Sequence, residues 1–158
     1  MFVLNPDSLD IRWWYIGAGD GQHDPDWHSD GTISIFNNNY RAYRRGRPVF
    51  SEIISIDPAA NTHRTLVDGE PYNFHSNFNG HHHTSEAGTV LITSSTQGRV
   101  FEVDLKTGEN VFDFLNAYDR DEGRMLHLSE TFTISEARAQ QWLQQDCTTQ
   151  TQNGETTQ

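Results

Sequence analysis

An internal repeat limits this chain more than any other feature. Its unit is an apolar segment ending in Asn or Asp, a turn, and a second apolar segment. Val3-Leu4-Asn5-Pro6 leads to residues 11–16, Ser55-Ile56-Asp57-Pro58 to Thr65-Leu66-Val67, and Glu102-Val103-Asp104-Leu105 to residues 111–115. The turn positions recur about every 50 residues. A second unit lies between them: Asp30-Gly31-Thr32-Ile33-Ser34-Ile35-Phe36 returns 57 residues later as Ala87-Gly88-Thr89-Val90-Leu91-Ile92-Thr93. A unit this short cannot bury its apolar faces alone, so copies must stack. The period matches one four-stranded blade of a β-propeller; a repeat-free β-sandwich with similar hairpins is the competing architecture.

The local pattern predicts an all-β chain. Strands are expected at 2–4, 11–16, 32–37, 51–56, 64–67, 89–95, 99–104, 110–115 and 125–134, rich in Val, Ile, Phe, Trp and Thr and separated by turn residues. Residues 1–134 then form about three four-stranded antiparallel blades, with strands 32–37 and 89–95 innermost. A C-terminal helix is expected over 135–145, with Ser135 as N-cap and Ala137, Ala139, Trp142 and Leu143 within it. The tail 146–158 has too little apolar content to fold and reads as disordered. Three blades do not close a ring of the usual 4–8. The chain is therefore a segment of a longer protein, or it self-associates through open blade edges.

Composition removes several functions. The formal charge is −11, from 22 acidic and 11 basic residues. That excludes a general nucleic-acid binder, which needs a broad basic surface, and a protein held on anionic lipid. No apolar run reaches the ~18–20 residues of a membrane span. Met1-Phe2-Val3-Leu4-Asn5-Pro6 lacks the parts of a secretion signal. The single Cys147 excludes an internal disulfide and a cysteine-based zinc site.

Ten of the 11 basic residues are arginine, and Arg41, Arg44, Arg45 and Arg47 cluster. Guanidinium forks suit carboxylate, phosphate or sulfate oxygens; a solvated loop is the plainer reading. The cluster follows Gln22-His23-Asp24-Pro25-Asp26-Trp27-His28, the strand 32–37 and Asn37-Asn38-Asn39. In a blade, the first of these segments is the loop entering the innermost strand, which places His23 at a channel mouth. Imidazole, amides and guanidinium there would form an anion-binding, acid–base site. The alternatives are a structural His23 and an Asn run serving turns. His75 and His81-His82-His83 occupy the matching loop of the next unit. Neighbours in an extended segment point to opposite faces, so at most His81 and His83 share one. A structural metal, a channel-facing histidine and an exposed run all remain open. Arg99, Glu102 and Asp104 read as blade architecture, and Trp13 and Trp14 as packing between blades.

Gln22-His23-Asp24-Pro25-Asp26 with Asp30-Gly31-Thr32-Ile33-Ser34-Ile35-Phe36-Asn37-Asn38 resembles the arylsulfotransferase propellers, whose signature is a QHD-type loop and an inner strand ending in F-D-N. Gln97-Gly98-Arg99-Val100-Phe101-Glu102-Val103-Asp104 and Thr107-Gly108-Glu109 resemble the family's next blade. The likeness covers roughly residues 1–134. It implies a six-bladed ring and transfer of a sulfuryl group from a phenolic sulfate ester to a phenol, through a channel histidine, with no nucleotide donor or other cofactor. It implies His23 and Arg41 as catalytic groups; His82 or His83 is the candidate nucleophile only if the loop geometry differs from the family's. Gln22, Asn38 and Arg44 are the expected substrate-binding residues. A periplasmic or extracellular setting follows if the N-terminus is truncated. Two positions depart from the family: Asn37 replaces the carboxylate of F-D-N, and Thr93-Ser94-Ser95-Thr96 has no histidine where the sulfurylated one is expected. The competing function is a non-catalytic module binding a small anionic or aromatic ligand or a protein partner.

Overall fold

The computed structural model describes residues 1–40 and 50–144. The described residues are mostly β, with antiparallel sheets and a short C-terminal α-helix. Strands β1 (Phe2–Leu4) and β2 (Ile11–Trp14) form a hairpin. Next come β3 (Gln22–Trp27), β4 (Ile33–Asn37), β5 (Glu52–Asp57) and β6 (Thr62–Asp68), a four-stranded meander in chain order. A second meander has β7 (His81–Thr84), β8 (Thr89–Ser94), β9 (Arg99–Asp104) and β10 (Asn110–Leu115). A hairpin of β11 (Ala117–Asp119) and β12 (Arg124–Met125) and helix α1 (Glu136–Leu143) follow. Among the described residues no helix is long and apolar enough to cross a membrane.

The turns after Asn5, Asp57 and Asp104 share a local chemical cause. Asn5 Oδ1 accepts the backbone N–H groups of Asp7 and Ser8, Asp57 Oδ1 those of Ala59 and Ala60, and Asp104 Oδ1 those of Lys106 and Thr107. Each Asx turn reverses the chain between two strands. The second unit also folds alike twice. The N–H of Gly31 bonds His28 and that of Gly88 bonds Ser85, both glycines at φ 85°.

Two apolar clusters follow from the period-2 alternation of the strands. Phe36, Ile53 and Val67 of the first meander pack with Phe74 and with Val90, Ile92, Phe101 and Val103 of the second. Ile33, Ile35, Ile54 and Ile56, on the first meander's other face, pack against Val3, Trp13 and Tyr15. Hairpin, sheet and sheet are thus stacked face to face. Gly80, at φ 123°, lies flat on the Phe36 ring, and an added Cβ would sit 2.3 Å from Phe36 Cζ. Gly80→Ala is expected to cost about 1–3 kcal/mol, from backbone strain and overpacking; urea melts of the two proteins measure it.

Several expectations are corrected. The described residues form two four-stranded sheets and two hairpins, not three four-stranded units, because the first unit comprises only β1–β2. Strands β4 and β8 lie second in their sheets, with β3 and β7 at the edges. The segment 22–27, read as a loop, is β3. Its Pro25 is tolerated on an edge strand, where a missing N–H breaks no ladder. Within 125–134 only Met125 is in a strand. The helix starts where expected: Ser135 accepts from the N–H of Arg138 at 3.3 Å. Trp13 is packed and stacked on Tyr15, but Trp14 is 62% exposed. Arg99 is architectural: it pairs with Asp113, donates to the Tyr72 carbonyl and lies over Phe101. The tail 146–158 lies outside the described residues.

Candidate functional site

The site begins with an irregularity in β3. Its pairing with β4 shifts between His23 and Asp26, and Asp24 adopts φ 54°. A bulge re-aims a side chain, and here it turns Asp24 toward β7, 58 residues away. Asp24 Oδ2 accepts the backbone N–H of His82 at 2.7 Å and lies 2.8 Å from His82 Nδ1. Asp24 Oδ1 is 2.7 Å from Nδ1 of His81. Two consecutive histidines of one strand thus meet a single carboxylate.

His82 is fully buried, and both of its ring nitrogens are engaged. Nε2 lies 2.7 Å from Ser34 Oγ, and Ser34 Oγ lies 2.8 Å from His28 Nε2. Ser34 is itself buried in β4. The connected chain is Asp24, His82, Ser34, His28. Asp26 stands 4.0 Å from His82 Nε2, and Glu130 stands 3.5 Å from His81 Nε2. Partial burial pulls the Asp24 carboxyl upward. The hydrogen bonds from His82 and the nearby imidazoles outweigh it and hold the group below the usual carboxylate value of 3.8.

The candidate residues fall in different places. His23 stacks on Phe36, ring centres 5.0 Å apart, and its buried Nε2 has no partner among the described residues. Gln22 is exposed and lines a recess of about 280 Å³ with Asp20 and Ile35. Asn38 is buried, its amide donating to the carbonyls of Ser76 and Asn79. That use leaves it holding a loop. His83 is exposed on β7, and His75 is bound to Gln97. Arg41 and Arg44 lie outside the described residues. As it stands, His82 presents no free lone pair, so attack by it would require Ser34 to move aside.

Sequence reasoning gave no role to Asp24, Ser34 or His28. Asp24 stood inside the quoted motif, and His28 and Ser34 are diagonal neighbours across the hairpin closed by the Asp30-Gly31 turn, with Ser34 opposite Asp26. Nothing local foretells that His82 joins them. Among the described residues no group of three or more His, Cys, Asp or Glu is placed to hold a metal ion.

Two antiparallel meanders meet at edge strands β3 and β7, and a histidine–carboxylate cluster joins them there. The chain belongs to the arylsulfotransferase (ASST) family, whose sequence model matches residues 1–117. No curated protein and no solved structure matches it.

Proposed function

We propose that this chain is part of a six-bladed β-propeller that transfers a sulfuryl group from a phenolic sulfate ester to a phenol, without a nucleotide donor. One observation carries the reading. The Gln22-His23-Asp24 motif lies on an edge strand, fastened through Asp24 to the edge strand of the next sheet. Converging edge strands are what the inner strands of neighbouring blades supply around a channel. His23 is then the acid–base or sulfuryl-stabilising group, its buried Nε2 having no partner among the described residues. Arg41, with Arg44, supplies the anion clamp, and Gln22 flanks the opening. His83 is the nucleophile that needs no neighbour to move, since its ring is exposed.

The test is release of 4-nitrophenol from 4-nitrophenyl sulfate with phenol as acceptor and no nucleotide. His23→Ala is expected to slow it by about 10²-fold, the usual worth of a positioned acid–base group. A fully active His23→Ala protein refutes that assignment. The second reading, a non-catalytic binding module, is favoured by Ser94. Where the sulfurylated histidine is expected, its hydroxyl donates to Gln97 Oε1 at 2.6 Å inside the fold. Binding of the sulfate ester without turnover would select it.

Edge strand β10 exposes Val111, Phe112, Phe114 and Leu115, which supports self-association or a longer native chain. Light scattering after size exclusion is expected to show more than an 18.1 kDa monomer.

A further inference from the structure

We propose that His28 is a relay-activated base, its ring Nδ1 accepting a proton from a weakly acidic hydroxyl while Ser34 and His82 carry the charge to Asp24. The proposal goes beyond the sulfuryl-transfer reading and rests on the hydrogen bonds alone.

Donor and acceptor rules set the direction of the chain. Asp24, held ionised, can only accept, and its Oδ2 already takes the backbone N–H of His82. His82 Nδ1, 2.8 Å from the same oxygen, must therefore carry a proton. In neutral His82 the lone pair is then on Nε2, and Ser34 Oγ donates to it across 2.7 Å. The Ser34 oxygen is left to accept, so His28 Nε2, at 2.8 Å, carries a proton and donates. Neutral His28 thus has its lone pair on Nδ1. That nitrogen has no side-chain partner among the described residues, and the ring is only partly buried. An unused imidazole lone pair just past the end of β3 can accept a proton.

The relay balances. A hydroxyl O–H breaks and a proton joins His28 Nδ1. The Nε2 proton of His28 passes to Ser34 Oγ as the Ser34 proton passes to His82 Nε2. His82 becomes an imidazolium against the Asp24 carboxylate, and the ligand leaves as its anion. Asp24, His82 and Ser34 are positioning residues. The other charged groups facing the relay are Asp26 and Glu130, Asp30 beside His28, and His81 on the second oxygen of Asp24. All the carboxylates favour the positive form of the relay.

Two readouts on the whole chain test this, neither using sulfotransferase activity. In ¹⁵N-histidine NMR at neutral pH, His28 is expected as the Nε2–H tautomer and His82 as Nδ1–H. A dominant Nδ1–H form of His28 overturns the proposal. Diethyl pyrocarbonate acylates imidazole lone pairs: an N–C bond forms, a C–O bond breaks and ethyl carbonate leaves. Mass spectrometry reads the rate at each histidine. Ser34→Ala cuts the relay, and acylation of His28 is expected to fall about 3–10-fold while that of exposed His83 is unchanged. Asp24→Asn keeps an oxygen for both His82 donors and removes only the charge, so it should slow His28 similarly. Unchanged His28 reactivity in both variants, with melting curves showing folded protein, overturns the relay.

Discussion

Phe36→Ala is expected to lower stability by about 3–5 kcal/mol, the usual cost of emptying a buried phenylalanine site. Phe36 has no exposed surface and lies where the two four-stranded sheets share one cluster. Its ring stacks on His23 and meets Phe74 edge-on at 5.4 Å, while Gly80 closes the remaining side. The aromatic rings and the Gly80 backbone against it are poorly able to refill the space. A typical domain has ~5–15 kcal/mol in hand, so much of the margin is removed. The loss should appear as a lower urea midpoint with an unchanged slope. Phe112→Ala on half-exposed β10 is the control, expected within about 0.5 kcal/mol. Equal effects at both positions would mean that the sheets do not share a core. His23 loses its stacking partner in Phe36→Ala, so the candidate site should loosen with the core.

What was legible in the sequence was local. Asn5, Asp57 and Asp104 each accept the backbone N–H groups two and three residues on, and a turn made by one side chain is visible in a short window. Ser135 announced its helix for the same reason. β3 was hidden because Gln22-His23-Asp24-Pro25-Asp26-Trp27 has neither alternation nor β-branched residues. It is a strand because β4 beside it is buried along its whole length and offers a ladder. The site was half legible. The motif marked His23 and, without a role, Asp24. The bond from Asp24 to His82 spans 58 residues and that from Ser34 to His82 spans 48. Contacts at such range depend on how sheets stack, which no window of sequence contains. Asn38, an amide beside the motif, reads as a ligand group in the sequence; in the fold its amide holds a loop.

Asp24→Ala is expected to cost about 3–5 kcal/mol, and Asp24→Asn under half of that. Alanine leaves three donors without an acceptor: the N–H and Nδ1–H of His82 and the Nδ1 of His81. Each desolvated donor left alone costs ~1–3 kcal/mol. The lower part of that range applies at His81, which is 25% exposed and can find water. Alanine also suits φ 54° poorly, whereas asparagine tolerates it. Asparagine can keep its oxygen on His82 and turn its amide to a neutral His81 ring. The two variants therefore separate geometry from charge, and pH separates them again. The Asp24 carboxyl is held below its ordinary 3.8 in the folded protein. In that window the unfolded chain binds more protons, so stability rises with pH. The stabilisation is complete above the ordinary value and disappears as pH falls below 3.8 through the folded value. Asp24→Asn has no such carboxyl to lose, and every other acidic group is common to both proteins. Urea midpoints at pH 7 and pH 3 should show wild type ahead at pH 7 and the difference shrinking at pH 3. A gap of equal size at both pH values would mean that the charge of Asp24 contributes nothing to holding β3 against β7.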